Sequence, residues 1–163
     1  MKLSLILIFI FIITTLGIYF YGYPAYQLSQ EEQRIRNSMR NIPNNAIATN
    51  LQNIAGFSAK AEMLNQYPKF LVYIMLDDYE KTQLDPDVAI FVRNFSCYGL
   101  NRLTQYPELE RKATLNIMKE DQHQFEYTVK NIFGDVLFQH TQRMSECPNF
   151  ANIESYTTPK NNE

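Results

Sequence analysis

Apolar residues dominate the first twenty positions of the chain. Beyond them the pattern becomes periodic, with spacings of three and four up to about residue 105 and alternation after Pro107. From Leu3 to Phe20 the apolar run of 18 residues is broken only by Ser4, Thr14, Thr15 and Gly17. As a helix this run spans about 27 Å, close to the roughly 30 Å hydrocarbon core of a bilayer. Five rings then follow, Tyr19, Phe20, Tyr21, Tyr23 and Tyr26, whose apolar bodies and polar tips suit the boundary between membrane and water. Pro24 is expected to end the helix there, because it lacks an N–H and its ring crowds the preceding turn. A cleavable secretory signal fits less well. Thr15-Leu16-Gly17 would be cut inside the apolar run, and a cut after Ala25 puts Tyr23 where a small side chain is wanted. Residues 1–26 are therefore expected to be a retained transmembrane anchor, secretion after cleavage being the alternative.

The next segment, 27–43, reads as an amphipathic stalk helix. Ser29-Gln30-Glu31-Glu32 has the form of a capping box, Pro43 closes the segment, and Leu28, Ile35, Met39 and Ile42 make its apolar face. A single domain is expected over 44–151. Asn44 and Asn45 can cap a helix running to about Asn65, with Ile47, Leu51, Ile54, Ala61 and Leu64 on one side. The seven apolar residues of "FLVYIML", 70–76, suit either a buried strand or a helix begun by Pro68. The polar "DDYEKTQ" that follows favours the helix. Asp85-Pro86-Asp87 starts another helix, carrying Val88, Phe91, Val92, Phe95 and Tyr98 on one stripe with Cys97 at its edge.

After Pro107, "ATLNIMK", "QFEYTVK" and "DVLFQHTQR" alternate with period two and predict strands at about 113–119, 123–130 and 135–143. A tight turn at Asn131 to Gly134 joins the last two, Gly134 taking positive φ. The tail, 152–163, is polar and expected to be disordered. The predicted class is thus α+β: an N-terminal transmembrane helix, a helical region, and a C-terminal three-stranded antiparallel meander.

Charge narrows the partners. The formal charge is −2, and a small acidic surplus without basic clusters argues against nucleic acid. The 5 glycines offer no phosphate cradle. Lys2 on one side of the apolar run and Arg34, Arg36 and Arg40 on the other leave the positive-inside rule undecided. Cys97 and Cys147, the only cysteines, read as one disulfide in an oxidising compartment, which turns the domain outward.

No constellation identifies a reaction. Cys97 with His123 or His140 would make a thiol or histidine-dependent hydrolase, but neither a base nor a lowered thiol pKa is visible in sequence. His123 and His140 share a strand face in one hairpin register, with His140 opposite Phe125, and fall on opposite faces in the other; two ligands do not make a metal site. The acids of Asp77-Asp78-Tyr79-Glu80 and Asp85-Pro86-Asp87 lack the EF-hand pattern and suit helix ends. No catalytic residue, cofactor site or metal site is assigned, and the chain is read as non-enzymatic. The function expected is a single-pass protein of a bacterial inner membrane, held through residues 3–21. Its periplasmic domain binds another envelope protein as an accessory or assembly factor. An immunity or inhibitor protein that neutralises a toxin or hydrolase is the alternative, with an acidic face around Asp77 to Asp87.

Overall fold

The computed structural model describes residues 13, 15–44, 49–54 and 57–156. Five strands, β1 (Thr49–Ile54), β2 (Phe57–Gln66), β3 (Lys69–Leu76), β4 (Gln124–Lys130) and β5 (Val136–Arg143), form one mixed sheet in the order β1-β2-β3-β4-β5. All neighbours are antiparallel except β3 and β4, which are parallel. Among the described residues the helices α1 (Tyr23–Arg40), α2 (Pro86–Leu100), α3 (Glu108–Glu120) and the short α4 (Phe150–Glu154) complete the α+β architecture.

Strand β3 lies at the centre. Its residues alternate in burial, with Phe70, Val72, Ile74 and Leu76 turned into the core. The helix favoured for 68–76 is therefore replaced by a strand. A run apolar on both sides suits a position with neighbours on each edge, and period alone does not separate it from a buried helix. The helix expected from Asn44 to Asn65 is likewise replaced, by β1 and β2. Ala59, Ala61 and Met63 are buried while Ser58, Lys60 and Glu62 are exposed, so the period of two holds through β2. The spacing of Ile54, Ala61 and Leu64 fits a helix only by coincidence. Pairing with the apolar β3 over eight residues, Ala59↔Leu76 to Gln66↔Lys69, decides the outcome.

The strand expected at 113–119 is the helix α3. Two buried stripes interleave on it and imitate a strand. Ala113 and Ile117 face Ile35 of α1, while Leu115 and Met118 face Met144, Cys147 and Phe150. A helix covered on two sides buries alternate positions, and Glu108 and Glu110 in its first turn with Lys119 in its last suit the helix dipole. The three-stranded meander thus shrinks to the β4–β5 hairpin. Its turn is as expected: Gly134 has φ +87°, and the buried Asn131 accepts hydrogen bonds from the Phe133 and Asp135 N–H groups through Oδ1.

Pro24 does not end the helix. Ile18–Gly22 form a π-turn, closed by the Tyr23 N–H donating to the Ile18 carbonyl, and the chain stays helical to Arg40. The wider turn absorbs the carbonyl that a proline would otherwise strike, and Ser29 sits inside α1 rather than at a cap. Among the described residues no helix is long and apolar enough to cross a membrane. Residues 1–12 and 14 of the expected span lie outside the described residues, as do 157–163 of the expected tail; residues 152–154 are the end of α4.

Two larger clusters fill the core beside the small Ile35–Ala113–Ile117 contact between α1 and α3. The larger joins the inward residues of β2, β3 and β4 to Tyr79, Val88 and Val92, and the second surrounds Cys97 and Cys147 with Leu100, Leu103 and Phe150. On α2 the buried set is Val88, Val92, Ser96, Cys97 and Leu100; Phe95 and Tyr98 of the expected stripe are exposed. The Cys97–Cys147 disulfide, with an S–S distance of 2.06 Å, ties α2 to the segment after β5 across a separation of 50 residues.

Replacing both cysteines by alanine is expected to lower the free energy of unfolding by about 2–5 kcal/mol, measured by urea denaturation of the full chain. Asn131→Ala should cost about 1–3 kcal/mol in the same assay, because the two turn N–H groups lose their shared acceptor.

Candidate functional site

The chain brings a set of apolar side chains around a cavity of about 280 Å³ where the C-terminal ends of α1 and α3 meet the sheet. Met39, Met63, Met118 and Met144 line it together with His123. Each methionine comes from a different element: α1, β2, α3 and the turn Met144–Glu146 after β5. Phe70 and Phe125, paired across β3 and β4 and stacked with centroids 5.2 Å apart, complete the wall with Ile42. Two backbone hydrogen bonds fix His123 in place. Its N–H donates to the Met118 carbonyl at 3.1 Å, and its carbonyl accepts from Met144 N–H at 2.9 Å.

The imidazole of His123 is only 1% exposed and meets the Tyr67 ring edge-on at 4.9 Å. Its Nε2 is buried without a hydrogen-bond partner. Burial pushes its pKa below the ordinary value, with nearby Arg36 acting in the same direction and Asp121 against it.

A polar cluster lies beside this histidine. Arg36 grips Asp121 with two bonds, Nε to Oδ2 at 2.7 Å and a terminal nitrogen to Oδ1 at 3.2 Å. The Tyr67 hydroxyl donates to the same carboxylate, and Arg40 lies 5.0 Å from the Tyr67 ring centroid. Burial works to raise the Asp121 pKa, but the bonds from Arg36 and Tyr67 outweigh it and hold the carboxyl below its usual range. Tyr67 is pushed up to about 12 by burial and by its bond to Asp121. The cluster joins α1, the β2–β3 turn and the end of α3.

A second cavity, about 480 Å³, shares Met118, Phe125 and Met144 with the first and is bounded on its other side by α2. Phe95, Tyr98 and Tyr127 contribute to it; burial raises the Tyr127 pKa to about 12.

The residues singled out in the sequence are dispersed. Cys97 and Cys147 meet as a disulfide, leaving no free cysteine among the described residues and no thiol for a nucleophile. His140 lies opposite Tyr127 rather than Phe125: at the turn Lys130 already pairs with Val136, and the bulge between Val129 and Lys130 moves the register one residue further. It stays on the face of His123 but four residues along, roughly 13 Å at the rise of a strand, too far to share a ligand. Asp77 pairs with Lys60 at 3.2 Å; Asp85 holds the expected N-cap position of α2, but its carboxylate turns to Lys81 at 3.0 Å and makes no side-chain cap bond. Tyr19, Phe20, Tyr21, Tyr23 and Tyr26 stand exposed on the helix. Sequence reasoning missed the methionines, since positions 39, 63, 118 and 144 form no linear motif. It missed the Arg36–Asp121–Tyr67 cluster for the same reason.

Comparison of the chain with protein-family models, curated proteins and solved structures finds no match in any of the three.

The site has a defined response to acid. Below about pH 6.5 the unfolded chain protonates a histidine that the folded chain keeps neutral, so stability falls as pH drops through that value. The Asp121 contribution has the same sign but is lost lower, as pH falls from about 3.9 towards its depressed folded value. The thermal midpoint is expected to decrease between pH 7 and pH 5, and His123→Leu should flatten that limb while leaving the one below pH 4. Asp121→Asn should cost about 1–2 kcal/mol at pH 7, read by denaturant unfolding.

Proposed function

We propose that the protein is a membrane-anchored, non-enzymatic binding domain of the bacterial periplasm, an accessory or assembly factor that contacts another envelope protein. The observation that carries this reading is the state of the N-terminal helix. Ile13, Leu16, Ile18, Tyr19, Phe20, Tyr21, Tyr23 and Tyr26 are all 49% exposed or more, and the turn Ile18–Gly22 runs directly into α1. So many bare apolar side chains in one stretch call for a cover, and a lipid boundary suits rings with polar tips. The disulfide supports an oxidising compartment, where such bonds persist. A protein contact is supported by Ile90, Phe95 and Tyr98, which leave apolar surface on α2 at 54%, 42% and 62% exposure, Phe95 and Tyr98 beside the second cavity.

Placement is tested with the full chain carrying a reporter active only in the periplasm, fused after Glu163; activity is expected, and a silent, stably produced fusion refutes the orientation. Contact is tested in living cells with a photo-crosslinking residue at Tyr98 and, as control, at Lys69 on the opposite face of the sheet. A discrete adduct from position 98 and none from 69 is expected. Equal labelling from both positions refutes a specific surface on α2.

A further inference from the structure

We propose that the methionine-lined cavity is a binding site for a soft monovalent cation, Cu(I), with the thioethers of Met39, Met63, Met118 and Met144 and the imidazole of His123 as the ligand set. The first ground is convergence. The chain has 6 methionines, and four of them meet at one cavity with 8 wall residues. At the chain's overall methionine frequency, a wall of that size would hold fewer than one. They arrive from four separate elements, so no local repeat produces the cluster.

The second ground is the histidine. His123 is almost fully buried in this wall, and its Nε2 has no hydrogen-bond partner. Buried polar atoms without partners are uncommon in native proteins; among the described residues Ser96 Oγ, His140 Nε2 and Asn149 Oδ1 share that state, and of the four residues only His123 lines this cavity. A hydrocarbon occupant would leave the nitrogen unsatisfied, whereas a metal ion accepts its lone pair.

The donor types choose the ion. Thioether sulfur is a soft, neutral ligand that prefers Cu(I) to Mg²⁺ or Ca²⁺, which require oxygen. Zinc sites draw on Cys, His and carboxylates, and among the described residues no three of these side chains gather into a metal-binding group. Both cysteines are committed to the disulfide, so no thiolate competes for the ion. Met39 and Met118 are half-buried while Met63 and Met144 are buried, an order that offers two ligands at the entrance and two within. Binding of Cu(I) to neutral donors changes no oxidation state and releases no group from the protein.

The test uses the full chain with its disulfide intact, verified by a free-thiol assay. Ag(I), a redox-inert ion of the same charge and softness, is titrated by calorimetry, and Cu(I) by anaerobic competition with a chromophoric chelator. One equivalent is expected to bind, and the labelled methyl signals of Met39, Met63, Met118 and Met144 should shift together while that of Met75 stays fixed. The Met63→Leu, Met118→Leu double variant keeps the wall filled and should bind at least tenfold more weakly. The methyl spectrum is read on the unsubstituted chain and stands even if the variant folds poorly. Absence of stoichiometric uptake, equal binding by a folded leucine variant, or shifts confined to Met1 or Met75 each overturn the proposal. So does an apolar dye that occupies the cavity equally well with and without a stoichiometric equivalent of Ag(I).

Discussion

The parallel pairing of β3 with β4 is the constraint from which the rest of the fold follows. Strand β3 carries a run too apolar to leave an edge open to water, and its register with β4 runs from Lys69↔Gln124 to Met75↔Lys130. Parallel neighbours cannot be joined by a tight turn, so the chain must return along the sheet before β4 begins. That return is the stretch holding α2, the turn Asn101–Gln105 and α3. Their apolar sides cover the sheet face that β3 presents, and the opposite face keeps charged pairs such as Lys69 with Glu126.

The same return path creates the site. Because α3 ends immediately before β4, Met118 and His123 are delivered to the edge of the core within a few residues of one another. Strand β5 then runs back beside β4 and brings Met144 level with His123. Helix α1 closes the far side, held there by Arg36 to Asp121 and by the contact of Ile35 with Ala113 and Ile117. The cavity is therefore a seam between elements rather than a property of any one of them. The disulfide fastens the other end of the helical layer, where α2 is otherwise joined to the C-terminal segment by packing and by the Asn149 amide, which donates to the Cys97 carbonyl at 2.8 Å.

Two kinds of information reach the functional reading, and they concern different ends of the molecule. The exposed rings on the N-terminal helix and the disulfide between residues 50 apart support the proposed placement, the one as a surface to be covered and the other as a thiol pair oxidised. The methionine cavity is the ground for the proposed ligand, and it draws on donor chemistry that no single stretch of sequence displays. The acidic runs at Asp77 and Asp85 contribute less to any binding face than their composition suggests, since each carries a neighbouring lysine.

By itself the sequence determined what short-range physics controls. The Asp85-Pro86-Asp87 helix start, the Asn131 to Gly134 turn, the β4–β5 hairpin and the pairing of the only two cysteines each follow from backbone preference, a two-residue period or simple parity. Only the tertiary structure decided the rest. Residues 59–66 and 69–76 are strands because they pair with each other and with β4. Residues 113–119 are helical although they alternate, because α1 and the C-terminal segment bury two separate stripes on them. Pro24 is accommodated because the preceding turn widens, and the register that sets His140 against Tyr127 depends on a bulge. Met39, Met63, Met118, His123 and Met144 become neighbours only when four elements meet. A periodicity shows which side of a segment seeks cover but not what will cover it, and that choice is made by contacts between residues far apart in the chain.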